Sequence, residues 1–318
     1  MRSPKVSVCI PVYNGARYIG ESLESVLSQT FQDLVVVVCD NCSTDGTPDV
    51  VGRFRDARLR YVRNPAPLTA VANHNRCLQL ADTEYVCLWH HDDIMVPTNL
   101  ERKVALLERH PQVGFVHSNL VRIDEHGRPL AEHWAREATR DGIHAGRQLV
   151  LKYLTRMHSF GSMVFIGAVV ARRACYERVG GFREELALSF DDEMWMRMAM
   201  HGDVGCIGEP LVKYRIHPTS MSSSAGHVLR LREHWRASAA VLDQFGDRIP
   251  GVEGVRRAVA MAFWKRAWLE GVRAARRGEV RTALAYAGVA LEAYPGIRPG
   301  VNAALGWGRR RLLRTPGG

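Results

Sequence analysis

The sequence lacks the features that mark membrane-spanning, secreted and fibrous proteins. None of its apolar runs approaches the roughly 18 residues that a membrane-spanning helix needs. The apolar stretch at residues 6–11 is too short for a signal-peptide core and is typical of a buried strand. The seven cysteines are odd in number and scattered, which favours reduced thiols over a disulfide framework. We therefore expect a globular protein of the cytoplasm.

Several common catalytic and binding motifs are also missing. There is no G-x-G-x-x-G, no G-x-x-x-x-G-K-[ST], no H-E-x-x-H and no G-x-S-x-G. These absences remove the main support for dinucleotide-binding, P-loop, zinc-protease and esterase functions. No helix-turn-helix or zinc-finger signature is present either, so only the basic charge would favour a nucleic-acid partner, and we expect none.

Basic charge is abundant, but only in the last third of the chain. The formal net charge is +10, and all of it comes from residues 227–318, which hold 17 Lys and Arg against 7 Asp and Glu. Residues 1–226 hold 26 of each sign. A basic segment can bind an anionic membrane, nucleic acid or an acidic substrate, or its charges can simply be solvated. We predict a core of residues 1–226 and a basic helical extension of residues 227–318.

The first half of the sequence alternates strand and helix patterns. Strands are predicted at residues 6–11, 34–40, 60–62, 85–89 and 113–117, with helices between them. After a polar, irregular stretch at 118–160, a strand is predicted at 164–171, helices at 172–179 and 192–201, and a strand at 211–217. Helices are predicted again over 227–245, 253–277 and 279–293. This order predicts an α/β fold with a doubly wound, mostly parallel sheet and a C-terminal helical extension.

Two adjacent acids follow the predicted strand at 85–89. Ligands of such sheets bind beyond the carboxyl ends of the strands, and Asp92 and Asp93 lie there beside His90 and His91. Carboxylate oxygens suit Mg²⁺ or Mn²⁺ shared with a diphosphate, whereas the histidines leave zinc as an alternative. The simpler alternative is an acidic turn that caps the helix after Pro97.

A second acidic pair, Asp191 and Asp192, opens a predicted helix. Acids at a helix start ordinarily complement the helix dipole, but Asp191 is also placed to act as a general base at the floor of a cleft. Two other residues depend on their surroundings. Asp40 ends a buried strand and could cap a turn or accept a hydrogen bond from a bound base. His217 is functional only if it meets Asp92 in space.

Six short segments between residues 5 and 222 occur in an order that one protein family shares. They are residues 8–15 (Val-Cys-Ile-Pro-Val-Tyr-Asn-Gly), 40–47 (Asp-Asn-Cys-Ser-Thr-Asp-Gly-Thr), 90–97 (His-His-Asp-Asp-Ile-Met-Val-Pro), 180–182 (Gly-Gly-Phe), 191–197 (Asp-Asp-Glu-Met-Trp-Met-Arg) and 214–217 (Tyr-Arg-Ile-His). This set resembles the family 2 glycosyltransferases. The resemblance implies a GT-A fold and an inverting enzyme that uses a UDP-, dTDP- or GDP-linked sugar to build a surface polysaccharide, glycolipid or related glycan.

The resemblance also implies roles for individual residues. It assigns the donor nucleotide site to Pro11, Val12, Tyr13, Asp40, Asn75 and Asp92, and the site of Mg²⁺ or Mn²⁺ to Asp92, Asp93 and His217. Asp40 would accept a hydrogen bond from the ring N–H of the base. Asp191 would be the catalytic base.

Two positions depart from the pattern of the family. His90 stands where the family has the first Asp of its D-x-D motif, and Phe190 stands where it has a Glu before the base. A non-catalytic nucleotide-sugar-binding protein is therefore one alternative, and a nucleotidyl or other nucleotide-sugar enzyme of the same fold is another. We expect the acceptor at residues 118–160 and at the helical extension, which would touch the inner membrane face if the acceptor is lipid-linked.

Overall fold

The computed structural model describes residues 3–130, 141–160, 162–220 and 226–294. These residues form one nine-stranded sheet with helices on both faces. The strands are β1 (Val6–Val12), β2 (Leu34–Asp40), β3 (Leu59–Arg63), β4 (Tyr85–Leu88), β5 (Ile94–Met95), β6 (Val113–Ile123), β7 (Gly142–His144), β8 (Val169–Arg172) and β9 (Asp203–Arg215). The helices are α1 (Ile19–Leu27), α2 (Thr47–Val51), α3 (Ala70–Leu80), α4 (Asn99–Arg109), α5 (Gly146–Phe160), α6 (Arg173–Val179), α7 (Phe190–Ala199), α8 (His227–Phe245), α9 (Val252–Arg276) and α10 (Val280–Ala293).

The strand order of the sheet is β3-β2-β1-β4-β8-β6-β9-β5, with β7 paired to β9. Strands β3, β2, β1 and β4 are parallel, and β6 is parallel to β9. Strand β8 is antiparallel to both of its neighbours, and so are β5 and β7 to β9. The predicted doubly wound, mostly parallel sheet is confirmed, and the carboxyl ends of β2, β1 and β4 lie side by side.

Apolar residues fill both faces of the sheet. Strand β2 shows this most clearly, because Leu34, Val36 and Val38 join one buried cluster while Val35, Val37 and Cys39 join the other. A strand buried on both faces needs a continuous apolar run, which explains the unbroken valines. The first cluster also contains α1 and α4, and the second contains α3, α5 and α7.

The C-terminal helices pack on the second cluster. Leu231 of α8, Phe263 of α9 and Val289 of α10 are buried in the same cluster as Trp195 of α7. These helices therefore cover one face of the sheet through α5 and α7. The boundary at residue 226 stays a prediction, and residues 295–318 of the basic extension lie outside the described residues. Within the described ranges, no helix is long and apolar enough to cross a membrane.

The prediction for residues 118–160 is wrong. Strand β6 continues to Ile123, β7 follows, and α5 occupies Gly146–Phe160, while residues 131–140 lie outside the described residues. The buried side chains of helix α5 have an amphipathic spacing: Leu149, Val150, Tyr153, Leu154 and Met157. The polar residues between them make this pattern hard to recognise in the sequence.

Two other strand predictions need correction. Residues 166–168 form a 3-10 turn before the short strand β8, although a strand was predicted from residue 164. Strand β9 begins at Asp203, eight residues before the predicted strand at 211–217. Gly205, Gly208 and Pro210 weaken the strand pattern there, and the β6–β9 pairing has register shifts in this part.

Candidate active site

The carboxyl ends of β1, β2 and β4 carry the predicted site residues to one edge of the sheet. Pro11 and Val12 end β1, Asp40 ends β2, and residues 90–93 follow β4. The loops after β1 and β4 touch closely, because a Cβ on Gly15 would lie 2.5 Å from Cδ2 of His91. Glycine at this position is therefore what lets the two loops meet.

Three side chains after β4 form a group of potential metal ligands. One ligand atom from each of His90, Asp92 and Asp93 lies within 4.8 Å of the other two. Asp93 is fully buried, and its Oδ1 accepts a hydrogen bond from the Arg215 amide at 2.8 Å. Its Oδ2 lies 3.4 Å from Nδ1 of His90, an ion pair when the imidazole is protonated, and has no hydrogen bond within the described residues. The acids do not cap the next helix, because β5 intervenes and α4 begins only at Asn99.

His217, which follows β9, contacts Asp92 directly. Its Nε2 lies 2.9 Å from Oδ2 of Asp92, and its Nδ1 lies 2.9 Å from the Thr219 hydroxyl. Arg215 is the last residue of β9. It donates from Nε to the Asp92 carbonyl at 2.8 Å and from Nη2 to the Glu21 carboxylate at 2.5 Å. His217 thus orients Asp92 and is not one of the three clustered ligands, so its predicted role as a metal ligand stays a prediction.

The two acids of this pair have opposite pKa shifts. Burial alone would raise the pKa of Asp92, but the hydrogen bond from His217 and the charges of His91 and His90 outweigh it and lower the pKa well below its ordinary value. Burial and the charge of Asp92 raise the pKa of Asp93 to about 6, against the lowering effect of His90. Asp92 is therefore a permanent anion at neutral pH.

Asp191 lies in the first turn of α7, near enough to His90 for its charge to act on the imidazole. Burial of the imidazole lowers the pKa of His90, but the hydrogen bond and charge of Asp93 and the charges of Asp92 and Asp191 outweigh burial and raise it. Burial raises the pKa of Asp191 to about 6, although a hydrogen bond from the Asp192 amide at 2.9 Å and the charge of His90 lower it. The second acidic pair is therefore linked to the first through the interaction of Asp191 with His90.

Asp192, next to Asp191, is buried in the protein. It is 1% exposed, and its Oδ1 has no partner among the described residues. Its Oδ2 lies 3.9 Å from Nε2 of His234 on α8. The neighbouring Glu233 accepts a 3.4 Å hydrogen bond from the Leu188 amide, just before α7. Helix α8 thus holds the start of the helix that carries Asp191.

Phe190, which replaces an acid in the resemblance, is a packing residue. Its ring lies 5.1 Å from that of His74 and 5.3 Å from that of Phe182, centroid to centroid. His74 in turn lies 6.2 Å from His90. These rings fill the space between α7 and the strand-end cluster, so apolar contact replaces the polar contact that an acid would make.

The predicted nucleotide residues differ in how open they are. Tyr13 is 57% exposed, so its ring is free to contact a planar base. Asp40 is fully buried and accepts hydrogen bonds from the Ser43 amide at 3.0 Å, the Tyr61 hydroxyl at 2.6 Å and Arg63 at 2.9 Å. Asp40 therefore caps the turn after β2, and a base N–H would have to displace Tyr61 or Arg63 to reach it.

Asn75 uses its side chain within the protein. Its Oδ1 accepts a hydrogen bond from the Phe182 amide at 2.7 Å, and its Nδ2 donates to the Phe182 carbonyl at 3.0 Å. It thereby fixes the loop at Gly181, whose missing Cβ would lie 2.7 Å from Asn75 Oδ1. The predicted donor contact of Asn75 stays a prediction.

Several residues of the site were missed by sequence reasoning. Arg215 lies inside the quoted motif at 214–217, so its position could have been noticed. Phe165, whose ring lies 5.0 Å from His90, and Glu233 carry no motif signal, because tertiary packing alone brings them to the site.

Comparisons with known proteins identify a family. The sequence model of a family described as "Glycosyl transferase family 2" matches residues 7–169. EpsE of Bacillus subtilis is 28% identical over 218 residues, which are 67% of this chain and 73% of EpsE. The Escherichia coli UDP-Glc:alpha-D-GlcNAc-diphosphoundecaprenol beta-1,3-glucosyltransferase WfaP is 32% identical over 114 residues, 36% of this chain and 45% of WfaP.

A solved structure shares the fold. The mannosyltransferase PcManGT from Pyrobaculum calidifontis, in complex with GDP-Man and Mn²⁺, superimposes with a TM-score of 0.57 at 24% identity. The match covers 95% of this chain and 84% of the other. It spans the sheet and also the C-terminal helices.

Proposed function

The chain belongs to glycosyl transferase family 2, and we propose that it transfers a sugar from a nucleoside-diphosphate-sugar to an acceptor hydroxyl with inversion. One observation carries this proposal. The start of α7 brings the carboxylate of Asp191 near the clustered residues His90, Asp92 and Asp93. The charge of Asp191 acts on His90, and the neighbouring Phe190 packs on His74, which packs on His90. A transferase of this kind needs both an anchor for the diphosphate and a base for the acceptor.

A divalent cation fits the first group. The buried Oδ2 of Asp93 has no hydrogen bond among the described residues besides a 3.4 Å contact with Nδ1 of His90, so it can accept a cation. Two carboxylates with one imidazole suit Mn²⁺ or Mg²⁺. We propose that Asp92, Asp93 and His90 hold it, with His217 orienting Asp92. When bound, such an ion neutralises charge that develops on a departing diphosphate.

Asp191 is the proposed base. With a pKa near 6 it is mostly ionised at neutral pH, yet basic enough to take the proton of an acceptor hydroxyl. The hydroxyl oxygen then bonds to the anomeric carbon as the bond to the diphosphate breaks. A single displacement with one base inverts the configuration, as in inverting glycosidases.

The nucleotide would bind beside β1 and β2. We propose that the exposed Tyr13 covers the base, with Pro11 and Val12 as the strand end beneath it. Asp40 receives the ring N–H after Tyr61 or Arg63 turns away, and Asn75 shapes the donor side through the loop at Gly181.

The acceptor is proposed to be a lipid-linked or polysaccharide glycan. WfaP, by its name, acts on a sugar carried by diphosphoundecaprenol, and PcManGT binds GDP-Man. The basic helices α8 to α10 are consistent with an acceptor held at the inner membrane face. The donor nucleotide, UDP, dTDP or GDP, is a choice that the residues around Tyr13 leave open.

A donor screen tests this function. We expect one of the UDP-, dTDP- or GDP-sugars to raise the melting temperature of the protein, and to raise it further with Mn²⁺, because it binds only the folded state. Slow hydrolysis of that donor, followed by proton NMR, should release the sugar first as the anomer opposite to the donor. A donor that stabilises the protein without any turnover would instead support a non-catalytic binding protein.

A further inference from the structure

The hairpin of α9 and α10 carries a group of exposed large apolar side chains. Nine large apolar side chains are exposed in the described part of the chain, and four belong to this hairpin. They are Trp268 (42% exposed), Leu269 (54%), Val280 (64%) and Leu284 (67%). Side chains of this size cost free energy in water, so a cluster of them marks an interaction surface.

These side chains lie on the outer side of the hairpin. Phe263, Ala267 and Ala274 of α9 and Tyr286, Val289 and Ala290 of α10 are buried in the core. The helices touch where a Cβ on Gly271 would lie 3.3 Å from Cβ of Tyr286. Because each helix turns one face to this core, its opposite face points to solvent. Val280 and Leu284 are four residues apart on that face of α10.

Cations without partners surround the apolar side chains. Arg266 and Arg273 pair with Glu270, and Arg277 pairs with Glu279. Four others are exposed and have no ion-pair partner among the residues that the structure describes: Arg257, Lys265, Arg276 and Arg281. Lys265 and Arg276 share a helix face with Leu269, and Arg281 lies one turn from Leu284. The result is an apolar strip bordered by positive charge, which we call the outer hairpin face.

We propose that the outer hairpin face docks on an anionic lipid bilayer. Charge complementarity selects this partner, since the unpaired charged groups nearest Leu269 and Leu284 are the cations Lys265, Arg276 and Arg281. A second copy of the same face would bring like charges together, and a nucleic acid would leave Leu269, Val280 and Leu284 in water. A bilayer takes the apolar side chains into the headgroup boundary while the cations meet the lipid phosphates, and tryptophan prefers this depth.

This docking deepens the proposed function, because it would hold the enzyme where a lipid-linked acceptor is found. It does not depend on that function for its test. Vesicle binding needs neither donor nor turnover, and the Asp191→Asn variant should bind vesicles as the wild type does.

The test is co-sedimentation of the full chain with vesicles of phosphatidylcholine alone, or with one third phosphatidylglycerol. We expect binding only to the second kind, weakened by salt. The triple variant Lys265→Gln, Arg276→Gln, Arg281→Gln should bind about 100-fold more weakly, since each cation near such a surface contributes about fivefold. A control triple, Arg53→Gln, Arg109→Gln, Arg147→Gln, removes the same charge from exposed sites elsewhere and should keep most of the binding.

The apolar part has its own test. Leu284→Ser should weaken binding about tenfold, whereas Leu151→Ser, on an exposed side chain of α5, should not. Both variants must keep the wild-type melting temperature for this comparison. The proposal fails if folded wild-type protein ignores both vesicle types at low salt, or if the two triple variants lose binding equally. It also fails if the protein is a dimer in solution that Leu284→Ser dissociates.

Discussion

The two acidic pairs of the site have the same sequence, Asp-Asp, and opposite electrostatic settings. In the pair after β4, histidines surround Asp92 and hold its pKa well below the ordinary value. In the pair at the start of α7, Asp191 has few cationic neighbours, and burial raises its pKa to about 6. In each pair the second acid is buried and has a raised pKa.

The difference shows how one residue type performs two tasks. A carboxylate that must hold a cation and a diphosphate has to stay ionised, and neighbouring positive charge ensures this. A carboxylate that must accept a proton needs a pKa near the working pH, and burial without a strong cationic partner provides it. Equal substitutions in the two pairs should therefore have unequal consequences.

The largest effect is expected for Asp191→Asn. The amide has nearly the same shape but cannot take the proton, so turnover should fall by about 10²–10⁴-fold while the protein stays folded. The measurement is kcat with saturating donor and acceptor. Glu185→Gln, an exposed acid in the loop before α7, is the matched control and should keep wild-type turnover. Wild-type kcat in Asp191→Asn would place the base elsewhere.

Asp92→Asn should act on metal affinity. It removes an anionic ligand, so we expect Mn²⁺ affinity to fall by more than the roughly 10–100-fold that loss of a supporting group causes. His217→Gln removes only the group that orients Asp92, so its loss of Mn²⁺ affinity should lie within that range. Calorimetric titration with Mn²⁺ measures both, and Asp82→Asn, an exposed acid, is the control. Equal affinities in all four proteins would contradict the assignment of this site.

The pH dependence of turnover should follow Asp191. Because the base works only when ionised and its pKa is about 6, kcat should be flat above that value and fall about tenfold per pH unit below it. Saturating Mn²⁺ and donor keep Asp93, whose pKa is also about 6, ionised during the measurement. A profile without a step between pH 5 and 7 would show that Asp191 does not limit the reaction.

The smallest effect is expected for Asp192→Asn, and it concerns stability. Burial and the charge of Asp191 raise the pKa of Asp192 well above its ordinary value, against hydrogen bonds from Ser162 and Tyr153. Asp192 therefore stays protonated to a higher pH in the folded state than in the unfolded state. As a result, the stability of the protein falls as pH rises above the ordinary carboxyl pKa. Asparagine does not ionise, so the variant avoids this loss of stability. Its melting temperature should be about 1–3 °C above that of the wild type at pH 8, and the difference should be smaller near pH 4. A lower melting temperature at pH 8 would mean that Asp192 is ionised and paired in the fold.

Much of the fold follows from local sequence. Strand β2 has the predicted bounds. Its run of apolar residues, which ends at Asp40, is what a strand buried on both faces needs, so the run itself marks the strand. Helix α8 also matches, since its apolar spacing is regular over 19 residues. The missed elements, α5 and the first half of β9, have local patterns interrupted by polar residues or by glycine and proline. Their partners in the tertiary structure stabilise them instead.

The site was predictable in its parts but not in its assembly. The strand-end rule and the motifs select Asp92 and Asp191, which lie about 100 positions apart in sequence. Contacts between distant elements decide the rest. They place His90 in the ligand group and engage Asp40 and Asn75 in hydrogen bonds within the protein. Sequence patterns of a single chain do not carry such contacts.

One titration tests the contrast between the two acidic pairs most directly. The affinity of the nucleoside diphosphate of the stabilising donor is measured with and without Mn²⁺ for the wild type, Asp92→Asn and Asp191→Asn. The account predicts that Mn²⁺ strengthens binding to the wild type and to Asp191→Asn alike, and has little effect on binding to Asp92→Asn. If Asp191→Asn loses the Mn²⁺ effect and Asp92→Asn keeps it, the two pairs have been assigned the wrong tasks.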